Sequence, residues 1–387
     1  MSIQTADRIA SIQEYYFSKK MSEISLLNEA GKAIINLGVG SPDLPPDRTI
    51  IEALIASAQN PKHHSYQSYK GIFALRAAIS NWYKSIYNVS LDAEREVLPL
   101  LGSKEGVMHI SMTYINPGDE VLIPDPSYPT YVAATHLAGG KVVKYPLKES
   151  EEWHPSVSTI EALITPKTKL IWMNYPNMPT GQQTNLRLLS AVLDLAKKHN
   201  ILVCNDNPYS LTLNEQPSSI FQIEGAQEIA LELNSLSKSH HMAGWRMGWV
   251  SGNKQRIEEI LKFKSNMDSG MFLPIQHAAI AALELDSSHM DKNNKIYSKR
   301  RALAWELLDA LSCSYVKKQV GMFVWAKIPS SISDAASYSD KILYHANVFV
   351  TPGFIFGENG REYIRISLCS KEEVLKEAIR RIKKMRI

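Results

Sequence analysis

Ser235-Leu236-Ser237-Lys238, continued by Ser239-His240-His241-Met242-Ala243-Gly244-Trp245-Arg246-Met247-Gly248, sets one lysine among small hydroxylated residues and an arginine eight positions further on. A lysine that does covalent chemistry needs a compact, partly desolvated slot and nearby positive charge, both of which lower its pKa. An arginine that far along can bring a planar fork to an anion bound beside the lysine. The stretch therefore reads as a lysine, Lys238, that forms a Schiff base with an aldehyde cofactor, with Arg246 on that cofactor's phosphate. Taken alone it describes a solvated loop lysine more readily, since most lysines are exposed. What converges on it decides the matter.

Working outward, the stretch closes an apolar strand, Ile229-Ala230-Leu231-Glu232-Leu233, and the same pattern recurs upstream. Ile201-Leu202-Val203-Cys204 ends at Asn205-Asp206-Asn207-Pro208-Tyr209, after a helix rich in Leu and Ala from Leu186 to Lys198. Lys169-Leu170-Ile171-Trp172-Met173 ends at Asn174-Tyr175-Pro176-Asn177-Met178-Pro179-Thr180-Gly181. Val121-Leu122-Ile123 ends at Pro124-Asp125-Pro126-Ser127-Tyr128-Pro129, and Lys141–Tyr145 follows a Gly-Gly turn. Leu98-Pro99-Leu100-Leu101 runs into Gly102-Ser103-Lys104-Glu105-Gly106 and a helical pattern through Val107, Ile110 and Tyr114. Short apolar strands alternating with helices predict βαβ units and a buried, mainly parallel sheet.

In such sheets ligands sit outside the carboxyl ends of the strands. Four polar clusters fall there: Gly102 onward, Asn174 onward, Asp206 with Tyr209, and Ser235 to Lys238. The turn at Gly102 also aims helix-start N–H groups in the way that suits a phosphate. A Schiff-base lysine, a phosphate cradle and a strand-end carboxylate together suit pyridoxal 5′-phosphate. Its ring nitrogen stays protonated only beside a buried carboxylate, for which Asp206 is the candidate. Tyr209 can hydrogen-bond the ring's phenolic oxygen and Tyr128 can stack on the ring face. Once released, Lys238 can carry a proton at the substrate's Cα.

Other readings fail on spacing. Gly38-Val39-Gly40-Ser41-Pro42-Asp43 begins like a dinucleotide fingerprint, but Asp43 takes the third glycine position and prolines follow. Ser235-x-x-Lys238 is also the serine–lysine spacing of penicillin-recognising acylases, yet no Lys-Thr-Gly accompanies it. The pairs His63-His64 and His240-His241 have no partner at metal-ligand spacing and read as exposed loop histidines, so no metal is expected.

The chain's 387 residues suit two domains, with 44% hydrophobic and 21% charged residues, a globular profile. Net charge is +4 but the basic residues are scattered. The dense run Arg380, Arg381, Lys383, Lys384 and Arg386 reads as a solvated helix face, so no nucleic-acid partner is expected. No apolar run could span a bilayer and the N-terminus has no signal-peptide pattern. Three scattered cysteines, Cys204, Cys313 and Cys369, argue against a disulfide framework. A cytoplasmic protein is the expectation. Ile9, Ile12 and Tyr16 at helical spacing lead the N-terminal segment. After about residue 285 a long charged helix (Lys295 to Leu311) and the strands Gly321–Ala326, Val348–Val350 and Tyr363–Leu368 predict a smaller α+β domain. We expect α/β architecture: a large domain at 45–284 with a seven-stranded-type sheet flanked by helices, and a small one from 1–44 and 285–387.

From Leu37 to Cys369 the chain resembles the fold-type-I, class I/II pyridoxal-phosphate aminotransferases, most specifically in Ser235–Lys238 and Gly244–Gly248. The resemblance implies that Lys238 carries the cofactor, that Ser235, Ser237, Arg246, Ser103 and Lys104 serve its phosphate, and that Tyr128, Asp206 and Tyr209 contact its ring. It implies that Tyr66, in its Tyr-x-x-x-x-Gly setting, reaches the phosphate of the neighbouring subunit's cofactor, hence a homodimer with shared sites. It implies that Arg365 forks onto the substrate α-carboxylate and that Gly40 lies in the loop closing over it. Two positions depart from the family pattern. Met178 stands where asparagine usually precedes Pro-Thr-Gly and donates to the cofactor's O3′, which methionine cannot do; Asn177 or Asn174 are the candidate substitutes. His241 replaces a small residue or asparagine. Lys264–Gly270 and Asn174-Tyr175-Pro176 look most like the LL-diaminopimelate aminotransferase branch. The activity implied is ping-pong exchange of amino groups between an L-amino acid and a 2-oxo acid, possibly LL-diaminopimelate and 2-oxoglutarate. A lyase or decarboxylase on the same scaffold, or a non-catalytic regulator, are the alternatives.

Overall fold

The computed structural model describes residues 3–10 and 16–385; Ile12 and Arg386 lie outside them. The strands, in chain order, are β1 (Ile35–Asn36), β2 (Val97–Leu100), β3 (Glu120–Asp125), β4 (Lys141–Pro146), β5 (Thr168–Met173), β6 (Leu202–Asp206), β7 (Ala230–Ser235), β8 (Gly248–Ser251), β9 (Ser314–Tyr315), β10 (Phe323–Lys327), β11 (Val348–Phe349), β12 (Thr351–Pro352) and β13 (Tyr363–Ser367). Seven of them form one sheet in the order β2-β8-β7-β6-β5-β3-β4. Neighbours are parallel except at β8, which runs antiparallel to both β2 and β7. The sequence expectation of a mainly parallel seven-stranded sheet holds.

Alternation within each strand explains the layers. Leu170, Trp172, Leu202 and Cys204 pack with the helices Ser103–Tyr114 and Lys254–Lys264 on one face. Their neighbours Ile171, Met173 and Val203 pack on the opposite face with Phe73–Tyr87, Leu186–His199 and Leu273–Leu283. Both faces are apolar because helices cover both. A second, antiparallel sheet, β12-β13-β10-β9, lies in the C-terminal part, and β1 pairs parallel with β11.

Topology sets where the chemistry falls. The carboxyl ends of β2, β3, β5, β6 and β7 lie on one edge, and β8, being antiparallel, begins there: Gly248 pairs with both Leu100 and Ser235. That return strand carries Arg246 back beside Lys238. Beneath the edge, Glu232 on β7 is fully buried. It accepts hydrogen bonds from the Tyr83 hydroxyl (2.9 Å), the Ser219 hydroxyl (2.8 Å), the Ile220 N–H (3.0 Å) and the Asn205 amide (3.2 Å). Removing that acceptor strands several buried donors. Glu232→Ala is expected to cost about 3 kcal/mol, read as a thermal midpoint lower by about 4 °C for a chain of this length. An unchanged midpoint would show that the donors find other acceptors.

Candidate active site

Lys238 sits on a one-turn helix, Leu236–Ser239, capped by Ser235, whose hydroxyl accepts from the Ser237 N–H at 3.0 Å. The Ser235 hydroxyl also meets the Ser237 hydroxyl and the Met247 carbonyl at 2.8 and 2.9 Å, tying the turn to the start of β8. The Lys238 ammonium donates to the Gly40 carbonyl at 2.6 Å. Burial holds its pKa below that of an ordinary lysine; Cys369 is the next strongest influence and opposes it, the Arg365 and Arg246 charges each add to the lowering, and Asp206 opposes it. The expected neutral, nucleophilic amine is thus favoured.

Around Lys238 lies a cavity of about 270 Å³ lined by Ser103, Lys104, Tyr128, Asp206, Tyr209, Ser235, Ser237 and Arg246. The ring and phosphate candidates that the sequence singled out within one chain are gathered here, apart from Asn177. Ser103 opens the helix Ser103–Tyr114 after Gly102, whose φ of 92° is left-handed. A side chain on Gly102 would collide with the Arg246 guanidinium, so the bare backbone is what lets the arginine lie across the helix start. Arg246 is itself anchored by a 2.8 Å bond to the Ala243 carbonyl.

Asp206, at the end of β6, is buried. Its Oδ2 accepts from the Tyr131 hydroxyl at 2.8 Å, while its Oδ1 has no hydrogen-bond partner among the described residues. Burial pushes its carboxyl up to about 6, although the Tyr131 bond acts the other way. A bound cation or N–H donor would reverse that shift. Tyr131 went unnoticed in the sequence, although it stands one helical turn after Tyr128. Its ring stacks on Trp172 with centroids 4.9 Å apart and planes 9° from parallel, so its hydroxyl is fixed.

A second cavity, about 440 Å³, shares Tyr128, Met178, Tyr209 and Lys238 with the first and adds Gly40 and Arg365. Arg365, on β13, donates to the Gly38 carbonyl at 2.8 Å and to the Met178 sulfur at 3.3 Å. Met178 thus faces the arginine rather than leaving a gap. Asn174 lines the first cavity, its amide donating to the Asp206 carbonyl at 2.6 Å; Asn177 is tied into the turn through Thr180 and Asn174. Tyr66 lines neither cavity and is 90% exposed.

One expectation is corrected. His240 and His241 are buried, not exposed. His240 stacks on His289 (5.4 Å, 15°) and His241 meets the Tyr297 hydroxyl at 3.2 Å. These contacts come from the helix Ser287–Ala310, which loop composition does not reveal. His63 is half-buried and His64 exposed.

A buried amine at the carboxyl edge of a mainly parallel sheet, beside a buried carboxylate with no partner for one oxygen among the described residues, is the setting of an α/β enzyme of small molecules. Residues 32–382 match the family of class I and II aminotransferases. The LL-diaminopimelate aminotransferase of Moorella thermoacetica is 38% identical over 99% of this chain and 98% of its own length; that of Halothermothrix orenii is 39% identical over 98% of each. Among solved structures, substrate-bound BacF from Bacillus subtilis is 35% identical with a TM-score of 0.94, covering 99% of this chain and 98% of that one. The Thermus thermophilus aspartate aminotransferase with maleate is 25% identical with a TM-score of 0.92, covering 99% and 100%. The chain belongs to the class I and II aminotransferases, and of the readings left by the sequence it is the aminotransferase that these likenesses support. Among the described residues no helix is long and apolar enough to cross a membrane.

The unmet Asp206 oxygen has a measurable cost. The carboxyl titrates near 3.8 when unfolded and at about 6 when folded. Between those values the folded state holds more protons, so stability falls as pH rises through the window, by at most about 3 kcal/mol. Asp206→Asn, freed of any bound ligand, is expected to melt above the wild type at pH 7 and to lose that advantage below about pH 4. Equal midpoints at pH 7 would show that the carboxylate is already compensated.

Proposed function

We propose that this aminotransferase holds pyridoxal 5′-phosphate in the smaller cavity and exchanges amino groups between a 2-amino acid and a 2-oxo acid bound in the larger one. The observation that carries the reading is the buried Asp206 oxygen without a donor. A protonated pyridine nitrogen is the donor that such a carboxylate lacks, and the carboxylate in turn keeps that nitrogen protonated. The residues present fit the group elsewhere too. Ser103, Lys104, Ser235, Ser237 and Arg246 surround the space opened by Gly102 and hold the phosphate. Tyr128 flanks the ring, and the Tyr209 hydroxyl reaches its phenolic oxygen. When bound, the cofactor supplies an electron sink for the pair released at the substrate's Cα.

The chain's own residues do the rest. Lys238 would hold the cofactor, and its amine would move the proton at the substrate's Cα, a task suited to its lowered pKa. Arg365 binds the α-carboxylate, and the loop at Gly38 and Gly40 closes over it. The relatives' names support LL-diaminopimelate as the amino donor, and 2-oxoglutarate as its acceptor rests on the family resemblance. Tyr66 serves the site of a second copy; its exposure and the exposed Tyr69, Phe73, Met267 and Phe272 support a covered dimer face.

Purified protein should be yellow, and an amino acid that donates should bleach its visible band. Borohydride reduction is expected to leave the cofactor's mass on Lys238 in a peptide map. A panel in which no amino acid bleaches the band, LL-diaminopimelate included, would overturn the function. Met178 has no donor to offer the phenolic oxygen, so the holoprotein's band would titrate at a higher pH than with an asparagine there. Met178→Asn is expected to lower the midpoint of that titration by about one unit, the worth of one hydrogen bond. Identical titrations would remove Met178 from the account of the cofactor's tuning.

A further inference from the structure

The segment between β1 and the helix Arg48–Ala58 meets both Lys238 and Arg365. Its Gly40 carbonyl takes the Lys238 ammonium at 2.6 Å and its Gly38 carbonyl takes the Arg365 guanidinium at 2.8 Å. The fit is close, since a Cβ on Gly40 would collide with the Phe323 ring. At the start of the segment Leu37 is fixed by backbone hydrogen bonds to Phe349 and Ser367. Its far side is held by Arg300, on the helix Ser287–Ala310. The Arg300 guanidinium forks onto Asp43, Nη1 to Oδ1 at 2.6 Å and Nη2 to Oδ2 at 2.9 Å. The same Nη1 donates to the carbonyl of Leu368 at 3.0 Å, on the chain that continues from Arg365 and β13. One rigid, planar group therefore fixes the glycine segment and the Arg365 strand relative to each other.

The fork is held in its turn. Arg300 is buried, and its guanidinium carbon lies 5.6 Å from the centre of the Tyr297 ring. The Tyr297 hydroxyl meets the His241 ring at 3.2 Å, and His241 follows Lys238 in the same turn of chain. The contacts thus run from the lysine's own loop through Tyr297, Arg300 and Asp43 back to the carbonyl that the lysine touches. Little slack lies between Asp43 and Gly40, because Pro42 has a locked φ. Among the described residues that line the two cavities, neither Arg300 nor Asp43 appears.

We propose that Arg300 is a positioning residue for the substrate carboxylate: through Asp43 and the Leu368 carbonyl it sets the Gly38–Gly40 segment against Lys238 and Arg365. This role rests on the proposed seat of the α-carboxylate on Arg365 and on the loop that closes over it.

Two substitutions in the holoenzyme test it. Asp43→Asn keeps the shape and removes the charge, while Arg300→Lys keeps the charge and removes the fork. Three measurements are made on each: cofactor mass left on Lys238 by borohydride, amide hydrogen exchange along the chain, and kcat and KM for the best amino donor. Full cofactor mass is expected, with faster exchange confined to residues 37–44. The ratio kcat/KM is expected to fall about a hundredfold, as for a binding group displaced by about 1 Å, with most of the loss in KM. Unchanged exchange in that segment, or an unchanged KM, would overturn the role. Loss of cofactor mass with faster exchange throughout the chain would overturn it too, because the pair would then serve the fold at large. Should Arg300→Lys fail to fold, Asp43→Asn decides, its side chain being 22% exposed. A wild type that transfers no amino group would overturn the aminotransferase reading, whereas faster exchange confined to 37–44 would still uphold the hold of Arg300 on the segment.

Discussion

A carboxylate kept in the interior with half its hydrogen-bonding capacity unmet is the constraint on which this site depends. Asp206 is placed by β6, and Tyr131 satisfies one of its oxygens, with Trp172 stacked behind to hold that hydroxyl in place. Asn174 ties β5 to the Asp206 backbone from the other side. The other oxygen is left to a ligand. Such an arrangement is unfavourable in isolation and persists because the packed sheet beneath it does not yield. Glu232, a second buried acid one strand over, shows the opposite solution: its carboxylate takes hydrogen bonds from backbone, hydroxyl and amide donors, and serves the fold alone.

Positive charge is distributed with the same economy. Arg246 and Arg365 approach Lys238 from the two sides, one in each cavity. Burial is the main cause of the lysine's lowered proton affinity and both arginines add to it, so the groups proposed for the anionic ends of cofactor and substrate would also favour the neutral amine. Arg365 lies against the aromatic faces of Phe323 and Phe356 and donates to the Met178 sulfur.

Much of this was legible because the signals are local. Strand length, the helix patterns between strands and the polar residues closing each strand all sit within short windows, and a parallel sheet turns them into one edge. Ser103, Asp206, Tyr209 and Lys238 could be named from that alone. Tyr128 had only its place in a Ser-Tyr-Pro turn, whereas Tyr66, Gly40 and Arg365 needed the family resemblance. Tyr131, Phe17, Phe323 and Phe356 had no such signal, because an aromatic residue on a helix or strand reads as core until its neighbours are known. The buried His240 and His241 were misread as exposed for a related reason: loop composition says nothing of the helix that packs over the loop.

By itself the sequence determined the architecture and pointed to Lys238 and the polar groups that the structure gathers around it, since periodicity and strand-end chemistry are properties of consecutive residues. Only the tertiary structure decided that Met178 turns its sulfur to Arg365, that one Asp206 oxygen has no hydrogen-bond partner among the described residues, and that aromatic rings surround Arg365. Each of these depends on which atoms face one another across strands and loops up to several hundred residues apart, and no spacing along the chain encodes that.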